Sequence, residues 1–239
     1  MKLGFVFAAA LVLMPVGAWA GGCSRSDLGP EIFCGTYREV PKTSFNTAPD
    51  GTFAKPQVFV SLTDLLGSLP SDSDMRSSGV DFHGGPATRL PSERVNVQVA
   101  AYVVAVKPGE GDHDYHVIIS DRPLCAQPCD AVFMNAEVSG IPRSGDDARG
   151  DFARVRGEIA TVVPETVGVS GSYVEIVDPR PVLVQGSVYF DADHRAGCAS
   201  GCPGPAYARP TTVWEVHPIF HIEKASAGLL TTEAGTLRP

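Results

Sequence analysis

Three runs with strand periodicity, then a helical stretch, then two more strand runs, predict an all-β fold with one helix. The first strand is long and loses phase midway, as strands do where a barrel turns a corner. Together these features describe a five-stranded Greek-key barrel of the OB type, whose helix falls between strands three and four. An immunoglobulin-like sandwich is the alternative, but it needs about seven strands and no central helix. The expected division is a leader at 1–20, an irregular N-terminal arm at 21–93, the barrel at 94–224 and a flexible tail at 225–239.

The leader is read from Met1-Lys2, the apolar run Leu3 to Val16, and the small-x-small triplet A-W-A at 18–20. These are the three parts of a secretory signal peptide. The run is too short to span a bilayer, which needs roughly 20 apolar residues. The mature protein is therefore expected to be soluble and exported, periplasmic or secreted. Cys23 follows the cleavage zone and raises the idea of a lipid anchor, but the preceding A-G-G fits a lipidation box poorly. The arm is rich in Ser, Asp, Pro and Gly, with one short helical segment, Leu62 to Leu69. S-D-S-D-M-R-S-S-G has no apolar period and reads as a loop.

From Val95 the chain reads V-N-V-Q-V-A-A-Y-V-V-A-V, alternating until Ala100-Ala101 and then apolar on both sides. Y-H-V-I-I-S follows, with Tyr115, Val117 and Ile119 inward. The third strand is A-V-F-M-N-A-E-V. Phe152, Val155, Ile159 and Val163 then recur at helical intervals, with Ser144 as an N-cap. A short strand Y-V-E-I-V, ended by D-P-R-P, precedes the fourth main strand, P-V-L-V-Q-G-S-V-Y-F. The fifth is T-T-V-W-E-V-H-P-I-F-H-I-E. It places Trp214, Val216, Pro218, Phe220 and Ile222 on one face and Glu215, His217 and His221 on the other.

The 27 acidic and 19 basic residues give a formal charge of -8; loss of Lys2 with the leader leaves 18 basic residues and -9. Nucleic acid is a poor partner for such a chain, because phosphate contacts need clustered Lys and Arg. The G-x-x-x-x-G-K-[ST] phosphate loop, the H-E-x-x-H zinc motif and the G-x-S-x-G elbow are all absent. All six cysteines (Cys23, Cys34, Cys125, Cys129, Cys198, Cys202) belong to the mature part. An even number in an exported chain reads as disulfides. Proximity favours Cys23–Cys34, Cys125–Cys129 and Cys198–Cys202. A four-cysteine zinc site from the two C-x3-C pairs is the alternative.

Histidines and acids gather at strand ends. D-H-D-Y-H (Asp112, His113, Asp114, His116) opens strand two, F-D-A-D-H (Asp191, Asp193, His194) closes strand four, and W-E-V-H-P (Glu215, His217) lies in strand five. Strands four and five of an OB barrel are antiparallel neighbours, so Asp191 and His194 should approach Glu215. Carboxylates and imidazoles in one patch suit a divalent metal, with Asp191, His194, Glu215 and His217 as the ligands. They also suit acid–base chemistry, with His116 or Asp114 as the acid–base group. The bland reading is a solvated sheet face with Asp-capped turns, or a hydrogen-bonded latch. His83 and His221 stand alone and read as structural.

D-Y-H-V-I-I-S-D, V-Q-G-S-V-Y-F-D-A-D-H and T-T-V-W-E-V-H-P-I together resemble a group of uncharacterised exported bacterial proteins with an OB-fold-like domain. Their pattern is D-[YF]-H, G-S-x-[FY]-[FY]-D-x-x-H and W-E-[ILV]-H-P, and the resemblance covers roughly residues 80 to 222. It implies a shared domain and a shared constellation rather than a reaction. Residue by residue it points to Asp114, His116, Asp191, His194, Trp214, Glu215, His217 and Pro218. The arm and the cysteine loops lie outside the pattern.

Three functions are compatible with these features. One is a binding or envelope-associated module for a small molecule, a glycan or a protein. Another is a metal-dependent hydrolase, and the third a purely structural protein. Thiol titration of the denatured exported protein is expected to find none of the six cysteines free; six free thiols would refute the disulfide reading.

Overall fold

A computed structural model describes residues 32–35, 38–82, 88–108, 113–123, 131–142, 148–166, 173–194 and 210–226. The leader, His83, Asp112, Ser144, the tail from 227 and five of the cysteines (Cys23, Cys125, Cys129, Cys198 and Cys202) lie outside the described residues. Cys34 is buried and is not a free thiol.

The barrel is closed and has OB connectivity. β2 (Asn96–Pro108), β3 (Tyr115–Ser120), β4 (Phe133–Val138), β6 (Trp214–Lys224) and β5 (Val174–Phe190) follow one another around it, and β5 returns to pair with β2. All neighbours are antiparallel except β4 and β6, which are parallel. A short strand, β1 (Gln57–Phe59), adds in parallel to the first half of β2. Helix α4 (Arg149–Val162) sits between β4 and β5 in the chain. It buries Phe152, Val155 and Ile159 against the barrel, as their 3–4 residue spacing requires. Among the described residues no helix is long and apolar enough to cross a membrane.

The alternation of each strand fills the interior. Val97, Val99, Ala101 and Val103 of β2, Val117 and Ile119 of β3, and Met134, Ala136 and Val138 of β4 all face the core. The phase of β2 slips at Val104, not at Ala100-Ala101. Val103 pairs with Ile119 but Ala105 with Ile118, so one residue is left over and Val104 and Ala105 join a cluster outside the barrel. The two segments separated by D-P-R-P form one long strand, because the prolines fall where β5 meets the β2 bulge and the ladder shifts. In β6 two further shifts, on either side of Gly186, turn Ile219 inward. Phe220, expected on the core face, instead packs with Phe45 and Phe53 of the arm.

The arm carries more regular structure than its composition suggests. Its helices are α1 (Glu39–Thr43), α2 (Leu62–Ser68) and α3 (Asp72–Ser77). Helix α2 occupies the expected helical segment. Leu62 and Leu65 are fully buried there, each contributing about 1.5–3 kcal/mol. Helix α3 replaces the expected loop, since Ser71 caps it by accepting from the Asp74 N–H and Met75 alone reaches the core.

Two buried arginines fasten the arm. Arg38 forms a two-pronged pair with Glu93, at 2.7 and 2.5 Å, and Glu93 also accepts from the backbone N–H groups of Leu90 and Phe190. Arg89 donates to the carbonyls of Val188, Pro41, Ser44 and His217. Burial lowers its pKa to about 10.

Gly186 lies where β6 passes closest to β5. A Cβ there would collide with Val216 Cγ1 and stand 2.7 Å from the Pro218 carbonyl oxygen. Gly186→Ala is expected to destabilise by about 1–3 kcal/mol or more, read as a fall of several degrees in Tm by calorimetry. An unchanged Tm would contradict this packing.

Candidate metal centre

Strand register decides which polar groups meet. Val117, Ala136 and Val216 point inward, so their neighbours His116, Glu137, Glu215 and His217 point out from the same stretch of barrel. His116 stands opposite Glu137 across β3 and β4. Asn135 stands beside Glu215 across β4 and β6, and Tyr189 opposite Glu215 across β5 and β6. Asp114 immediately precedes β3 and Asp191 immediately follows β5. Such an outer face is ordinarily wet, but here it is dry: Glu137, Glu215 and His217 are each at most 1 % exposed. The arm covers part of it, with the Arg38 guanidinium 4.7 Å from the Tyr189 ring centre and the Lys42 carbonyl bonded by Ser139.

The side chains form a continuous row. His116 Nε2 lies 3.0 Å from Asp114 Oδ1, and its Nδ1 lies 2.6 Å from Glu137 Oε1. Glu137 Oε2 is 3.3 Å from His217 Nδ1, which is 3.4 Å from Glu215 Oε2. Glu215 Oε1 meets His194 Nδ1 at 2.9 Å and accepts from Asn135 at 3.1 Å; Asp191 Oδ2 is 3.8 Å from His194 Nδ1. Three overlapping groups each hold their donor atoms within 4.8 Å of one another. They are Asp114, His116 and Glu137; Glu137, Glu215 and His217; and Asp191, His194 and Glu215.

Of the residues singled out from the sequence, Asp114, His116, Asp191, His194, Glu215 and His217 all belong to this row. Trp214 does not. It lies in the barrel core against Phe190, with its indole N–H on the Pro70 carbonyl. His221 pairs with Glu158 of α4, and His113 holds the Ile32 carbonyl. The row also contains Glu137, Asn135 and Ser139, which strand alternation places beside His116 once OB order is assumed. Lys42 and Arg76 gave no sequence signal. Arg76 of α3 donates to the carbonyls of Ala192 and His194 and so fixes the turn that carries His194.

Ser139, His217 and a glutamate imitate a nucleophilic triad, because Ser139 Oγ is 2.7 Å from His217 Nε2. The direction of the proton argues against that role. The Ser139 hydroxyl donates to the Lys42 carbonyl at 2.9 Å, so it accepts from His217 Nε2–H, and it is wholly buried. The effect is to fix the imidazole: Nε2 keeps its hydrogen, and Nδ1 faces two carboxylates. An unprotonated Nδ1 between two anions is repelled by both, so the gap requires either a proton or a metal cation.

Without metal, protons fill the role. Burial opposes charge on His217, but its hydrogen bonds with Glu137 and Glu215 outweigh that and raise its pKa. Burial likewise opposes His116, and Glu137 and Asp114 raise it well above the ordinary value. The hydrogen bond to Glu215 raises His194 to about 9. Both glutamates are lowered: burial would raise them, and their histidine partners prevail. Asp191 is raised to about 6, first by burial and then by the charge of Glu215.

Comparison with protein-family models, curated proteins and solved structures found no match for this chain.

These shifts set the pH response of the metal-free protein. The glutamates stabilise the fold above about pH 4.5, and this is lost as pH falls further. His194 contributes fully below about pH 6.5 and loses its contribution as pH rises through 9, while Asp191 opposes folding progressively from about pH 3.8 and fully once pH has passed 6. The Tm of chelator-treated protein is therefore expected to be highest near about pH 4.5 to 5 and to fall on both sides. His194→Gln should flatten the alkaline fall. A Tm that rises from about pH 7 to 9.5 would contradict the pairing.

Proposed function

We propose that the chain is an exported OB-barrel binding module whose bound species is a divalent cation, held by Asp191, His194 and one oxygen of Glu215, with His217 facing the other Glu215 oxygen and orienting it. The observation that carries this reading is the convergence of Glu137 and Glu215 on His217 Nδ1, with Nε2 tied to Ser139. Metal-binding histidines are typically held in this way through their second nitrogen. Mixed carboxylate and imidazole donors suit zinc, iron(II) or manganese better than soft ions. The ion would supply Lewis acidity and lower the pKa of a bound water. This chain's own part is to orient the ligands and keep the surrounding face dry.

Export, and the pairings Cys23–Cys34, Cys125–Cys129 and Cys198–Cys202, belong to the same proposal. They are supported by the leader pattern and by the absence of a free thiol at Cys34. The likeness to exported bacterial proteins with the W-E-[ILV]-H-P strand is consistent with it. A metal-dependent hydrolase is the second reading, favoured by one observation: the His194 side chain is 45 % exposed, so that flank of the group stays open.

The test is metal analysis of untagged protein purified without chelator and dialysed against zinc or manganese. Stoichiometric metal is expected in the wild type, with loss in Glu215→Gln and His217→Gln. Ser139→Ala, which removes only the tether, should weaken binding by about 10–100-fold. Wild-type protein that retains no metal would overturn the reading and leave the row as a proton-filled latch.

A further inference from the structure

We infer that the barrel carries a second cation position, formed by Asp114, His116 and Glu137 at the opposite end of the same row. It rests on the cation-binding reading and extends it to Asp114 and His116, which the Glu215 group does not use, with Glu137 between the two, and it stands on a separate observation. Asp114 Oδ1, His116 Nδ1 and Glu137 Oε1 are all buried, and none takes part in a hydrogen bond among the described residues. Each of the three residues supplies one such atom, and the same three residues can each bring a ligand atom within 4.8 Å of the others.

The close approaches make the point sharper. His116 Nδ1 comes to 2.6 Å from Glu137 Oε1, and Nε2 to 3.0 Å from Asp114 Oδ1, yet neither lies along a hydrogen-bond direction. Without an ion the two carboxylates are held only by their ion pairs to a protonated His116, and they have given up water without a directed hydrogen bond at these atoms, which is costly. A cation among the three accepts lone pairs from all of them and removes that cost. Its charge also matches: two carboxylates and a neutral imidazole balance a divalent ion. Nothing in the trio favours a sugar or peptide, since it offers a concentration of negative charge and no apolar platform.

The Glu215 end differs. There Asp191 Oδ1 accepts from the Asp193 N–H, and Glu215 Oε1 accepts from Asn135 and His194. That group is hydrogen-bonded without an ion and open at His194. At the His116 end one atom of each residue has no hydrogen bond among the described residues, and the group is nearly closed, with the His116 side chain 15 % exposed and those of Asp114 and Glu137 at 3 % and 1 %. The closed position should bind more tightly and exchange more slowly. Glu137 joins the two, one carboxylate oxygen toward His116 and the other toward His217.

The experiment is zinc stoichiometry and exchange on the full mature chain, by elemental analysis and by titration with zinc chloride against a chromophoric chelator. Circular dichroism checks that each variant folds. Two zinc ions per wild-type chain are expected, one leaving slowly and one quickly. His116→Gln should lose the slow ion and keep the fast one; His194→Gln should do the reverse. One ion per wild-type chain that persists in His116→Gln overturns the second position and leaves the Glu215 reading intact. One ion that is lost in His116→Gln but kept in His194→Gln and Glu215→Gln supports the His116 position and overturns the Glu215 reading. No ion in the wild type overturns both, whatever the variants do.

Discussion

The parallel pairing of β4 with β6 is the constraint on which the rest depends. It completes the barrel wall, and its register sets Asn135 beside Glu215 and Ala136 beside Val216. Alanine and valine go inward and pack; the polar neighbours have no choice but to go outward together. A slip of one residue would send Glu215 and His217 into an apolar interior. The same register therefore specifies the core and the row of acids and histidines on its outer side.

Burying that row is expensive, and the molecule meets the expense with partners rather than with water. Seven ionisable groups from β3, β4, β5 and β6 and their flanking turns alternate in sign or could do so on protonation. The arm contributes from outside through Arg38, Arg89 and Arg76, which bind carbonyls and Glu93 rather than the acids of the row. Breaking one partner of a buried pair such as Arg38–Glu93 typically costs about 3–5 kcal/mol. The cover over the site is thus held by a buried ion pair, as the row beneath it is.

Much of this was legible because it is periodic or local. Alternation marked the five strands, the 3–4 spacing of Phe152, Val155 and Ile159 marked the helix, and antiparallel strand ends brought F-D-A-D-H to W-E-V-H-P. What escaped depends on contacts distant in sequence. Glu137 is an unremarkable polar position in β4 until His116 and His217 are placed on either side of it. Helix α3 has one buried residue, so no apolar period announces it, and its cap at Ser71 resembles any serine-rich loop. The Val104 slip and the inward turn of Ile219 arise from bulges, which shift phase without leaving a composition signal.

OB barrels commonly lay oligomeric ligands across the outer surface of strands two and three. In this chain the corresponding surface, on β3 and β4, bears His116 and Glu137 at one end, the buried pair Ile118 and Asn135 in the middle and the buried Phe133 at the other end. Ser139, just past the end of β4, is bonded to the arm's own backbone at Lys42. The chain thus occupies the track along which a polymer would run. The two histidines at the ends of the row, His116 and His194, are the members of it that keep some contact with solvent. The fold has turned a platform for long ligands into a sealed seam with two narrow ends.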